Sequence, residues 1–154
     1  MELILQLIPI AYLLAVAVPL ITTDISERRL PNKLVLPSIP ITLVCWSALA
    51  VIYGLWQPLF VALACALLVG VLGFVAVVVG GIGMGDVKLT FALVLVVSWF
   101  SWWLGLLIPV LGVGIGLLIA SYEVFVRKQL RSSSIPIGPF LIGASALALG
   151  LAVM

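Results

Sequence analysis

Charge-free stretches run over residues 3–21, 34–55 and 58–79, and a further run of 34 residues, 89–122, carries no charge either. About 20 apolar residues cross a bilayer as a helix, so each of the first three stretches predicts one spanning helix. The fourth is too long for one. As a continuous helix it would extend roughly 51 Å at about 1.5 Å per residue, against a hydrocarbon core of about 30 Å. It is expected to turn once, at Ser98-Trp99-Phe100-Ser101-Trp102-Trp103, because tryptophan favours the membrane interface. A last apolar run occupies 137–153. The pattern predicts an all-α, polytopic membrane helix bundle of six transmembrane helices, approximately 3–21, 34–55, 58–79, 87–102, 104–125 and 137–153, forming one membrane-embedded domain over 1–154.

Helices are the default for such spans because lipid offers no hydrogen-bonding partner to the backbone. A β-barrel would need segments of about 10 residues with alternating polarity, and none is present. Each span is apolar all round, so periodicity does not say which face packs inward. Gly112 and Gly116 form a GxxxG pattern suited to close helix contact. The first span lacks a basic leading segment and a small-x-small cleavage site, so it is read as a span and not as a cleaved signal. Cys45 and Cys65 fall inside spans without a CxxC partner and are expected to be buried free thiols.

Composition agrees with lipid as the solvent: 66% of residues are hydrophobic and 8% charged, with a mean hydropathy of +1.48. A water-soluble fold of this size could not hide so much apolar surface. The three loops on one side, about 22–33, 80–87 and 126–134, hold with their flanks all seven basic residues: Arg28, Arg29, Lys33, Lys88, Arg127, Lys128 and Arg131. The positive-inside rule places that side in the cytoplasm and both termini outside. Attraction to anionic headgroups accounts for the charges. A net charge of +2 without basic-aromatic interleaving gives no nucleic-acid partner.

The chemistry available is narrow. With no His, Ser-His and Cys-His nucleophiles and His-based zinc sites are excluded. The acids are Glu2, Asp24, Glu27, Asp86 and Glu123. Asp24 follows the first span and could be an ordinary helix-end or turn acid. Asp86 closes a segment containing Gly80, Gly81, Gly83 and Gly85, and could be the N-cap of the next helix. Yet those glycines allow positive φ and close backbone approach, and an acid at or near membrane depth is a functional candidate by default. A P-loop is excluded because Asp86, not Lys, follows Gly85. Two carboxylates meeting across a water would share one proton. One could then deprotonate the water while the other hydrogen-bonds a peptide carbonyl, with no metal or organic cofactor.

Three segments together resemble the prepilin peptidases, or type IV leader peptidases, within the GxGD class of intramembrane aspartic proteases. Asp24, followed by Arg28-Arg29-Leu30-Pro31-Asn32-Lys33-Leu34-Val35-Leu36-Pro37, is similar to the family's first aspartate and the segment after it. Gly83-Met84-Gly85-Asp86-Val87-Lys88-Leu89 resembles its GxGD segment. Ile135-Pro136-Ile137-Gly138-Pro139-Phe140-Leu141 is similar to the stretch opening its last span. The resemblance implies that Asp24 and Asp86 are catalytic. It further implies that prepilin or pseudopilin precursors, with a short basic leader ahead of a hydrophobic helix, are cleaved at the cytoplasmic membrane face. Lys88 could orient Asp86 or reach to the interface. Longer members carry CxxC elements and methylate the product using S-adenosylmethionine; this sequence has no CxxC, and methyl transfer is not carried over. The alternative from another class is a small proton-coupled transporter in which the two aspartates relay protons. Both, however, fall near span ends and not mid-span.

Overall fold

The computed structural model describes residues 1–27, 31–79, 83–127 and 138–153, and the regular structure among them is entirely helical. Six long helices and one short one follow in order: α1 (Glu2–Glu27), α2 (Asn32–Val35), α3 (Ser38–Tyr53), α4 (Trp56–Val78), α5 (Met84–Phe100), α6 (Trp102–Arg127) and α7 (Gly138–Val153). Three segments, Glu2–Ser26, Asn32–Tyr53 and Trp56–Val78, are long and apolar enough to cross a membrane on their own. Val18, Leu67, Val71, Phe74 and Val78 remain exposed. In water that surface would invite association; in lipid it is the solvated face of a multi-pass membrane protein.

Local chemistry explains where the helices depart from the hydropathy pattern. The first does not end near residue 21 but continues through Glu27. Its polar residues are accommodated by bonding backwards: Thr23 Oγ1 donates to the Pro19 carbonyl (2.7 Å) and Ser26 Oγ to that of Thr22 (2.8 Å), which satisfies hydroxyls within the helix. Asp24 therefore rides on a helix and not on a loop. The expected 34–55 span corresponds to Asn32–Tyr53, divided between α2 and α3. Pro37, lacking an N–H, caps α3, and a turn separates α2 from it. Helix α3 ends at Gly54, whose φ of 71° suits a residue without Cβ. The long charge-free run breaks at Ser101, which is extended (φ −155°, ψ 110°). Trp102 and Trp103 are exposed, as interface anchors should be. Trp99 is not: it is buried and stacks on the fully buried Trp46 at 4.9 Å.

Helix α5 forms the centre. Nearly every residue from Leu89 to Trp99 is buried, and α3, α4, α6 and α7 all pack on it. That burial explains how a helix of 17 residues serves here, since protein and not lipid surrounds it. Close approach of α4 depends on glycine: a Cβ on Gly73 would lie 2.8 Å from Val87 Cγ1, and one on Gly70 would lie 3.0 Å from Phe91 Cδ2. On α6, a Cβ at Gly112 would collide with Leu141 Cδ2 of α7, so this half of the GxxxG pattern does make a helix contact. Gly114 faces open space, and the surroundings of Gly116 lie outside what the structure describes. Cys45 and Cys65 are buried and free.

Candidate functional site

At one end of the bundle the last turns of α1 reach the start of α7, with Asp86 of α5 within electrostatic reach. Asp24 is brought inward there and is only 4% exposed. Its Oδ2 accepts a hydrogen bond from the backbone N–H of Gly138 at 3.0 Å. Gly138 opens α7, and the first N–H groups of a helix have no partner within it. Asp24 thus caps α7 from 114 residues away, with its charge at the positive end of the helix. That donor offsets part of what burial costs a carboxylate.

Asp86 is the third residue of α5 and not its N-cap. Gly83 takes the cap position in an extended conformation (φ −76°, ψ 144°). The Asp86 carboxylate turns back to accept from the Gly83 N–H, the acidic half of a capping box. A Cβ on Gly83 would stand 3.2 Å from Asp86 Oδ2, closer than the carboxylate tolerates without moving. The expectation of positive φ is not met at Gly83 or Gly85: one is extended, the other helical. Among the described residues only Gly54 has positive φ, and Gly80 and Gly81 lie outside them.

Asp86 precedes Lys88 and lies outside the charge-free stretch that begins at Leu89. Burial, and after it the negative charge of Asp24, push its carboxyl up from the usual range to about 6, while the Gly83 N–H pulls the other way. Asp24 and Asp86 thus lie within electrostatic reach of each other.

Short α2 is tied to both flanking helices. Tyr12 Oη of α1 donates to the Leu34 carbonyl at 3.0 Å, and Lys88 Nζ of α5 donates to Asn32 Oδ1 at 3.2 Å. Lys88 thus engages Asn32 of the segment that follows Asp24, a partner that neither sequence reading of it foresaw. Gly138, the partner of Asp24, was not among the expected site residues. It lies in one of the resembling segments, but a backbone N–H leaves no signal in residue type. Arg28, Arg29, Leu30, Lys128, Arg131 and residues 135–137 of those segments and loops lie outside the described residues.

A family model described as the type IV leader peptidase family matches residues 10–152. A prepilin leader peptidase/N-methyltransferase of Pseudomonas putida is 34% identical over 134 residues, covering 81% of this chain and 43% of the relative. The chain therefore spans less than half the length of that relative. No solved structure matches.

Proposed function

The chain belongs to the type IV leader peptidase family, and on that premise we propose that it is a membrane aspartic endopeptidase that removes the leader of prepilin or pseudopilin-like precursors, with Asp24 and Asp86 as its catalytic pair. The observation that carries this reading is that Asp24, held by the Gly138 N–H at the start of α7, stands within electrostatic reach of Asp86 on the first turn of α5. In this scheme Asp24, steadied as an anion by the Gly138 N–H, takes a proton from water. The water oxygen bonds to the scissile carbonyl carbon while protonated Asp86 donates a hydrogen bond to the carbonyl oxygen. The C–N bond then breaks as the proton taken by Asp24 passes to the leaving nitrogen. Methyl transfer is not part of the proposal, because two carboxylates supply proton transfer only.

The pair, on this reading, faces the cytoplasm at the inner membrane surface, with both termini outside. The support is the basic residues that share its side of the chain's predicted topology. Labelling of an Arg29→Cys variant in intact cells tests this: no reaction with an impermeant reagent is expected, and external labelling would reverse the orientation.

The activity itself is tested by incubating the bilayer-reconstituted chain with a panel of prepilins and reading leader loss by mass. Cleavage of at least one is expected. Absence of cleavage together with proton flux through the reconstituted chain would favour the transporter. The pH dependence follows from Asp86, whose protonated form is the one the scheme uses. In kcat/KM, which reports the free enzyme, activity should fall as pH rises through about 6. In Asp24→Asn the charge that helps raise Asp86 is gone, so an infrared titration of its carboxyl should move to lower pH. No movement would separate the two acids.

A further inference from the structure

Asp24 and Asp86 sit on helices that scarcely touch each other. Among the described residues α1 packs on α3 and α7, and α5 on α3, α4, α6 and α7, with almost no direct contact between α1 and α5. A cavity of about 40 Å³ lies between them, with Ala17 and Leu20 of α1, Leu89 and Leu93 of α5 and Ser145 of α7 among its walls. The spacing of the two carboxylates is therefore set by what bridges these helices. One bridge is α7, through the Gly138 N–H. The other is α2. Tyr12 Oη of α1 donates to its Leu34 carbonyl, and Lys88 Nζ of α5 donates to its Asn32 Oδ1.

Several features make α2 a stiff strut. Pro31 caps its start (φ −69°) and Pro37 follows its C-cap (φ −65°), so the ring fixes one torsion at each junction. Val35 is 2% exposed and anchors α2 in the core. The Leu34 carbonyl, at the end of so short a helix, has no partner within it, and the Tyr12 hydroxyl supplies one. On α5, Lys88 stands two residues after Asp86, roughly 200° around a helix of 3.6 residues per turn. Asp86 lines the space between α4 and α6, whereas Lys88 reaches α2 on another side. Lys88 is thus placed to hold α5 and not to touch the Asp86 carboxyl. Resting on the peptidase reading above, we propose that α2 is a brace between the two acid-bearing helices, with Tyr12, Asn32 and Lys88 as positioning residues that set the spacing of Asp24 and Asp86.

The test reads the acid pair in the full chain reconstituted in nanodiscs. Tyr12→Phe, Asn32→Leu and Lys88→Met each release one end of the brace. As the spacing relaxes, the Asp24 charge raises Asp86 less, so an infrared titration of the Asp86 carboxyl should move to lower pH in all three. A Lys88 that acted by its charge would do the opposite. Removing a nearby cation makes the Asp86 anion harder to form and would move the titration up, in Lys88→Met alone. The other charges on helices packed against α5 are Lys33 of α2 and Glu123 and Arg127 of α6, and every variant keeps them. In cleavage assays kcat should fall roughly ten- to a hundredfold with KM little changed, the scale of small misplacements at a reacting centre. Lys88→Arg, which can still donate to Asn32, should keep both readouts near wild type. Lys88→Met combined with Asn32→Leu should be little worse than either alone. A rise confined to Lys88→Met, an unmoved titration in Tyr12→Phe and Asn32→Leu, or additive losses in the double variant would overturn the brace. Tyr12→Phe removes a single oxygen, and so decides the matter even if the other variants do not fold. Failure of the peptidase reading looks different: the wild-type chain would cleave no precursor, and the titrations would still decide whether the brace exists.

Discussion

Asp24→Asn and Asp86→Asn are each expected to reduce precursor cleavage by about a thousandfold or more, the scale on which positioned acids and bases contribute, while the chain still inserts and folds. Asparagine keeps the shape of aspartate and can still accept from the Gly138 N–H at position 24, or from the Gly83 N–H at position 86. It cannot take or give the proton that water attack requires. Because neither acid works without the other, the double variant should be little worse than either single one. Glu27→Gln and Glu123→Gln serve as comparisons and should retain substantial activity, since neither acid belongs to the pair. The measurement is single-turnover cleavage by purified, reconstituted variants, with helicity and thermal unfolding recorded alongside. Turnover by Asp24→Asn near the wild-type rate would remove Asp24 from the chemistry. Multiplicative losses in the double variant would mean that the two acids act in separate steps.

Much of this architecture was legible because lipid makes hydropathy nearly decisive. A charge-free run must become a helix, and a run of 34 residues must turn. Asp24 and Asp86 stood out as candidates for a related reason: with no His and only five acids, few residues could move protons at all. Side-chain chemistry inside the helices was harder to read. Thr22, Thr23 and Ser26 read as loop, yet α1 runs past Asp24 with their hydroxyls bonded back to its own carbonyls. Trp99 read as an interface residue, yet packing on Trp46 took it into the core. Gly70 and Gly73 carried no signal in an all-apolar helix, because the reason for them is Val87 and Phe91 on a partner helix. The glycines before Asp86 drew notice for their conformational freedom. At Gly83 what matters is the space that a missing Cβ leaves to the carboxylate.

Gly138→Pro is expected to lower cleavage roughly ten- to a hundredfold, corresponding to the loss of about 1.5–3 kcal/mol for a hydrogen bond to a charged group. The substitution is unusually selective. Gly138 is the first residue of α7, where proline's fixed φ fits and where no intrahelical bond uses the N–H. The one described bond it removes is the 3.0 Å donation to Asp24. Asp24 would then stay buried without that donor, and the anion that the proposed scheme uses as its base would be less well held. Gly138→Ala keeps the N–H and is the comparison for the added side-chain bulk. A general disturbance of α7 is distinguished by the cycle with Asp24→Ala, which leaves the Gly138 N–H no side-chain acceptor. If the bond is the cause, Gly138→Pro added to Asp24→Ala should cost little further in thermal stability, whereas a packing defect would add in full. Equal losses from Gly138→Ala and Gly138→Pro, or full additivity in the cycle, would reduce the contact to a helix-packing feature and leave the proposed base role of Asp24 without support from α7.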